Sequence, residues 1–227
     1  MIYQKYVNAV PLYRQEKDWE RLGYSLSRTT MVNWVIRCSE NYFSRFVARL
    51  KEEMLKEKIL HCDETYVKVL SEKDVSDNSK QYMWVYRTGK HSERQIVIYD
   101  YNKSRSGDVP KTQLGKAFDY AFKRREFLGN YFNDGDCAIL NNAAENAIRP
   151  FTVGRKNWLF SDTPKGAEAS ADIYSIVETA KANGLDVFKY FELLLTVLPS
   201  MTFLTNPDIL EELLPWNESV QKICKAI

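Results

Sequence analysis

At residue 59 the apolar pattern of this 227-residue chain changes period, from one apolar position every three or four residues to the extended run ILHCDETYVKVL at residues 59–70. A helical stripe repeats every 3.6 residues and a pleated face every two, so the change marks an α/β chain in which helices precede a sheet. Two further extended runs follow, QYMWVYR at 81–87 after a polar gap at 71–80, and ERQIVIYDY at 93–101 after a short turn carrying Gly89 and Lys90. Connections this short join antiparallel neighbours, and the three runs predict an antiparallel meander.

The helical patterns surround it. Residues 11–22 predict a helix with Leu12, Trp19 and Leu22 near helical spacing and Gly23 as its stop. Ser27 stands where it can cap a second helix over 28–55, along which Met31, Val35, Cys38, Tyr42, Phe46 and Leu50 form one apolar stripe. Two helices about a glycine turn resemble a helix-turn-helix, as any helical hairpin does. Beyond the meander, residues 102–110 read as a loop, 112–127 as a helix, and 133–142 as a turn with a short extended stretch. Asn141 or Asn142 caps a helix over 142–149 that Pro150 ends; further helices follow at 167–184, stopped by Asn183 and Gly184, and at 186–198, stopped by Pro199. The expected organisation is a helical region at 1–58, an α/β domain at 59–199 and a tail at 200–227.

Composition narrows the class. With 44% apolar and 13% aromatic residues and a net charge of +2, the chain is neither disordered nor, with 9 Gly and 7 Pro, collagen-like or a linker. No run approaches the roughly 18 uncharged apolar residues of a membrane span, and the N-terminus lacks a signal-peptide pattern, so a cytoplasmic protein is expected. Cys38, Cys62, Cys137 and Cys224 are scattered without zinc-knuckle spacing and are expected as reduced thiols. Charge is uneven: residues 1–60 hold 11 Lys+Arg against 7 Asp+Glu, and 103–125 hold 7 against 2. The run RPFTVGRKN at 149–157 carries three cations and no acid, and leads directly into Trp158, Leu159 and Phe160. Cations beside exposed aromatics suit a phosphate backbone and unstacked bases.

Two acids carry the chemistry. Asp63 falls inside a strand among apolar residues, where an unpaired carboxylate costs several kcal/mol unless a metal, a cation such as Lys68 or His61, or water offsets it. Glu145, taken alone, has capping-box spacing from Asn142. Together, a strand carboxylate followed by antiparallel strands and a later helix carboxylate is how a ribonuclease-H-like nuclease holds divalent cations for phosphoryl transfer, and hard oxygen ligands suit Mg²⁺ or Mn²⁺.

The motifs His61-Cys62-Asp63-Glu64-Thr65, Asn141-Asn142-Ala143-Ala144-Glu145-Asn146-Ala147-Ile148-Arg149-Pro150 and Gly154-Arg155-Lys156-Asn157-Trp158-Leu159-Phe160 resemble the insertion sequence 66 family of transposases. PLYRQEKDWERLGYSLSRTTMVNWV upstream and IYSIVETAKANGLD downstream extend the resemblance over nearly the whole chain. It implies a DNA transposase with an Asp-Asp-Glu site on a ribonuclease-H-like mixed sheet, using Mg²⁺ or Mn²⁺ to nick element ends and join the freed 3′ hydroxyl to target DNA. By position, Asp63 matches the first Asp and Glu145 the Glu, both as catalytic metal ligands. Arg149, Arg155, Lys156, Asn157 and Trp158 become DNA contacts. The implied partners are terminal inverted repeats and target DNA, a homo-oligomer is compatible, and no membrane is involved.

The chain also departs from the family. Where a further strand bearing the second Asp and a helical insertion should stand, SRSGDVP passes straight to KTQLGKAF, which reads as an internal deletion near residues 109–111. The nearest remaining acids, Asp108, Asp134 and Asp136, lie in no apolar strand. The chain also begins where a longer member would have passed a zinc-binding and coiled-coil region. Two expectations follow: a transposase impaired by loss of the second Asp, or an inactive remnant that binds DNA without chemistry.

Overall fold

The computed structural model describes residues 1–70, 81–103, 141–203 and 206–226. The expected helix over 112–127, the deletion near 109–111, Cys137 and the acids Asp108, Asp134 and Asp136 lie outside the described residues.

The meander forms as the sequence predicts. Strands β1 (Leu60–Val67), β2 (Gln81–Thr88) and β3 (Val97–Asn102) make a three-stranded antiparallel sheet in the order β1-β2-β3. The third strand starts at Val97 because the preceding residues close the turn, where the Gln95 amide donates to the carbonyls of Gly89 at 3.1 Å and Ser92 at 2.7 Å. Asp63 pairs across with Val85, and Val85 with Tyr99, so the three share one face. Thr65 and Met83 sit on that face one pair further along.

Helices pack around this sheet. Four lie upstream: α1 (Ile2–Tyr6), α2 (Leu12–Arg21), α3 (Arg28–Cys38) and α4 (Ser44–Met54). Ser27 caps α3 through the Thr30 N–H, and Gly23 takes φ +84 in the turn before it, as the sequence predicts. Of the apolar residues expected on α2, Leu12 is buried and Leu22 is exposed, while Gln15 buries its amide against the Val10 carbonyl at 2.9 Å. The continuous helix expected over 28–55 is interrupted by a π-helical turn, Ser39–Phe43. That turn inserts one residue into the stripe, so Phe43 enters the core where Tyr42 was expected, and Phe46, Leu50 and Met54 continue it.

Downstream lie α5 (Asn142–Trp158), α6 (Pro164–Ala182), α7 (Val187–Val197) and α8 (Glu218–Cys224). Pro150 does not end its helix: α5 runs on to Trp158 with the proline inside. The missing N–H and the ring's clash cost about 3 kcal/mol, which burial of Ala147, Ile148, Phe151 and Gly154 on the sheet side offsets. Thr163 caps α6 and Asp186 caps α7, with Gly184 at φ +70 between them. The tail joins the same core, since Leu210, Leu213, Leu214, Val220 and Cys224 are buried in it.

The outer edge of β3 is closed by a helix. The Thr179 hydroxyl of α6 accepts from the Val97 N–H at 3.0 Å and donates to the Val97 carbonyl at 2.9 Å. One turn earlier, Ser175 accepts from the Tyr99 N–H at 2.8 Å, and past the helix end Asn183 donates to the Gln95 carbonyl at 2.6 Å. A bare strand edge recruits other strands, and these side chains satisfy the groups that would do so.

On the far side of the sheet Lys51 of α4 pairs with Asp100 of β3 at 3.0 Å. Beside it Glu53, 2% exposed, holds Arg49 at 2.7 Å, Lys56 at 2.6 Å and Arg94 of the β2–β3 connection. Arg49 continues to Glu211 at 2.5 Å, which ties the C-terminal region to the same carboxylate.

Candidate functional site

The site lies along the seam between β1 and α5. Two side chains of α5's register reach the strand: Asn141 donates its amide to the Cys62 carbonyl at 2.8 Å, and Arg155 donates to the Thr65 hydroxyl at 3.3 Å. Asn141, Glu145, Ile148, Thr152 and Arg155 follow helical spacing of four and three residues, so they form one stripe. With both ends of that stripe bonded to β1, Glu145 is on the side of α5 that faces the strand carrying Asp63. Asp63 points to the same side, because its cross-sheet neighbour Tyr99 lies under α5, donating to the Ala147 carbonyl and packing against Phe151.

The two acids differ in setting. Asp63 is half-buried in mid-strand, and its Oδ1 accepts the Glu64 N–H at 2.8 Å. Glu145 is exposed and meets no partner among the described residues. The capping box expected from Asn142 does not form: the helix begins at Asn142, the preceding Asn141 occupies the cap position, and its side chain goes to β1 instead. Next to Asp63, burial pushes the Cys62 thiol up, with Glu64 and Asp63 adding to it, so this cysteine stays protonated and is no nucleophile at neutral pH.

Hard carboxylate oxygens are donors for Mg²⁺ or Mn²⁺, and a Mg²⁺ ion is commonly held by one or two carboxylates with water and substrate phosphates completing its shell. Asp63 and Glu145 fit that requirement for a single ion. A pair of ions needs more donors, and among the described residues no group of three His, Cys, Asp or Glu converges on a metal position.

The basic run falls on the last half of α5. Arg149, Lys156 and Asn157 are exposed, and Arg155 is half-buried with its guanidinium on Thr65. Trp158 packs edge-on against Phe151 at 5.4 Å between ring centroids. The exposed apolar residues here are Val153 on α5, 49% exposed, and Leu159 and Phe160 just past it, 67% and 44% exposed. Sequence reasoning treated Asn141 only as a cap and assigned no role to Thr65; an asparagine one residue ahead of a helix that follows a strand motif was the one available signal.

Gly154, inside the basic run, is dictated by packing. A Cβ there would overlap the Tyr174 hydroxyl and come within 3.3 Å of the Trp158 Nε1. Alanine in a helix interior is ordinarily favoured over glycine by about 1 kcal/mol. Here Gly154→Ala is expected to destabilise by about 1–3 kcal/mol, because Tyr174 is buried and cannot retreat. Urea unfolding measures the difference, and an increase in stability would refute the assignment.

Sequence comparisons agree on the class of protein. The profile described as "Transposase IS66 family" matches residues 1–114 and 108–169, two segments that meet at 108–114. The profile described as "IS66 C-terminal element" matches residues 175–216. The chain belongs to the IS66 family of transposases. Curated relatives are three proteins of Sinorhizobium fredii (strain NBRC 101917 / NGR234). The uncharacterized protein y4qI is 35% identical over 58% of this chain, the uncharacterized protein y4hP 33% over 44%, and the uncharacterized protein y4jD 28% over 51%. The matched regions span 24%, 19% and 22% of those proteins, so the chain covers about a quarter or less of their length by similarity. No solved structure matches it. No helix among the described residues is long and apolar enough to cross a membrane.

Proposed function

We propose that the chain acts on DNA as the core of an IS66-type transposase, a ribonuclease-H-like domain over residues 59–199 preceded by a helix-turn-helix-like region at 1–58. Asp63 and Glu145 are its catalytic metal ligands, and Arg149, Arg155, Lys156, Asn157 and Trp158 form its DNA-contacting run. The observation that carries this reading is the pair of hydrogen bonds that pin α5 to β1, Asn141 to Cys62 and Arg155 to Thr65. They bring a strand carboxylate and a helix carboxylate to one seam on a helix whose last half carries Arg149, Arg155 and Lys156.

A bound Mg²⁺ or Mn²⁺ ion would stabilise charge on the transferring phosphoryl group. The chain's own residues do the rest. Asp63, held by the Glu64 N–H, offers its remaining oxygen in a fixed direction. Glu145 approaches from the solvent side, and the exposed cations of α5 hold the DNA backbone in register. With two carboxylates in place of three, positioning suffers and phosphoryl transfer is impaired. A second reading, an inactive DNA-binding remnant, is supported by the sequence, in which SRSGDVP runs straight into KTQLGKAF where the family carries the strand with the second Asp.

Labelled duplexes carrying the element's terminal inverted repeats, incubated with Mg²⁺ or Mn²⁺, separate these readings. Slow nicking that Asp63→Ala abolishes while DNA binding persists is the expected result. Binding without nicking, identical in the wild type and Asp63→Ala, supports the remnant. A protein that binds no DNA at all overturns both.

A further inference from the structure

Immediately after α5 the backbone makes a turn that a leucine rarely adopts. Leu159 has φ 61 and ψ −40, and the Phe160 N–H donates back to the Trp158 carbonyl at 2.7 Å, closing a three-residue γ-turn. Non-glycine residues held in such a conformation persist only where surrounding structure enforces it, and they gather at functional sites. The enforcement is visible on both flanks. The Leu159 N–H is bonded to the Arg155 carbonyl at 2.7 Å, and the next residue, Ser161, pairs with the end of β1, its N–H on the Lys68 carbonyl at 2.8 Å and its carbonyl on the Leu70 N–H at 3.0 Å.

What this rigid turn presents is apolar. Leu159 and Phe160 project at 67% and 44% exposure, and Leu70, 48% exposed, stands on the strand end to which they are tied. Three side chains are far too few for a lasting protein interface, which takes 20–30 residues a side. One or two suffice for a wedge that parts a base step, provided that cations beside it hold the phosphates. Those cations are present: residues 149–162 carry Arg149, Arg155 and Lys156 against the single acid Asp162.

We propose that Leu159 and Phe160 form an intercalating wedge that enters a base step of bound DNA and unstacks it, just past the Arg155 end of the seam along which Glu145 lies at the other end. The inference rests on the DNA reading above and adds to it the distortion of the substrate.

Duplexes carrying 2-aminopurine at successive positions of the terminal repeat test it, since the base brightens when unstacked. Wild-type protein at saturation is expected to brighten one step, and Phe160→Ala to lose that signal and bind about tenfold more weakly. Leu159→Gly, which relaxes the turn, is expected to keep or raise thermal stability and still lose brightening. Lys156→Ala should weaken binding and flatten its salt dependence yet brighten fully at saturation. Binding by the wild type with no brightened step, or equal brightening by Phe160→Ala, overturns the wedge and leaves the DNA reading intact. Absence of any DNA binding overturns that reading itself.

Discussion

Glu53→Ala is expected to cost about 3–5 kcal/mol, a large part of the 5–15 kcal/mol that a domain of this size has in hand. The carboxylate is 3% exposed and is shared by Arg49, Lys56 and Arg94. Lys56 and Arg94 can turn to solvent, being 60% and 42% exposed, but Arg49 is 11% exposed and cannot. With Glu53 gone, Arg49 keeps Glu52 and Glu211, which are largely exposed, but loses its one buried carboxylate, and its Nε has no hydrogen-bond partner to begin with. Glu53→Gln, which preserves shape and one acceptor, should cost less. Burial alone would push the Glu53 carboxyl up, but Lys56, Arg49 and Arg94 outweigh it and hold it below the ordinary 4.5. A carboxyl depressed in the folded state adds stability above its unfolded value and gives it up as the pH falls through the folded one. The wild type should therefore lose stability below about pH 4.5 more steeply than Glu53→Gln, as urea melts at pH 7 and pH 4 would measure. Equal slopes would refute the role given to the network.

Phe151→Ala is expected to cost a similar 3–5 kcal/mol by a different route. The ring is fully buried and meets Tyr99 at 6.2 Å, Trp158 at 5.4 Å and Tyr174 at 5.4 Å between centroids. It is the point where α5, α6 and the sheet meet, so its loss opens a cavity and also loosens the helix that carries Glu145. The variant should unfold at lower urea with its near-ultraviolet circular dichroism diminished. Any metal-dependent nicking should fall out of proportion to the fraction unfolded. Nicking that tracks the folded fraction would show that α5 is held by its hydrogen bonds to β1 alone.

How much of this was legible depended on how local each signal is. The strands announced themselves because Tyr66, Val67, Met83, Val85, Val97 and Ile98 are residues that a helix stripe would space differently, and three such runs on short connections leave little choice of topology. The stops at Gly23 and Gly184 were legible because both take positive φ, which glycine alone adopts freely. The π turn was not: Tyr42 and Phe43 are both large aromatics, and which of them enters the core depends on one inserted residue that no pattern marks. Pro150 misled for the opposite reason, since a local rule was overridden by burial of the α5 face. Asp63 and Glu145 were singled out through motif order, while the clasp that ties their two elements together, Asn141 on a strand carbonyl, is a contact over 79 positions that spacing does not reveal. Leu159 gave no sign at all, because nothing about a leucine foretells a left-handed backbone.

The closure of β3 by Ser175, Thr179 and Asn183 makes growth of this sheet one-sided. Hydroxyls and an amide occupy the ladder groups of Gln95, Val97 and the Tyr99 N–H along that border, so a newcomer strand finds these donors and acceptors taken. On the opposite border, β1 is met by Asn141 at the Cys62 carbonyl, by Arg155 at the Thr65 hydroxyl, and past its end by the bridge of Val69 to Ser161. The free side for a strand that extends this sheet is the one beside β1, where an acidic side chain in register with Asp63 would stand next to it.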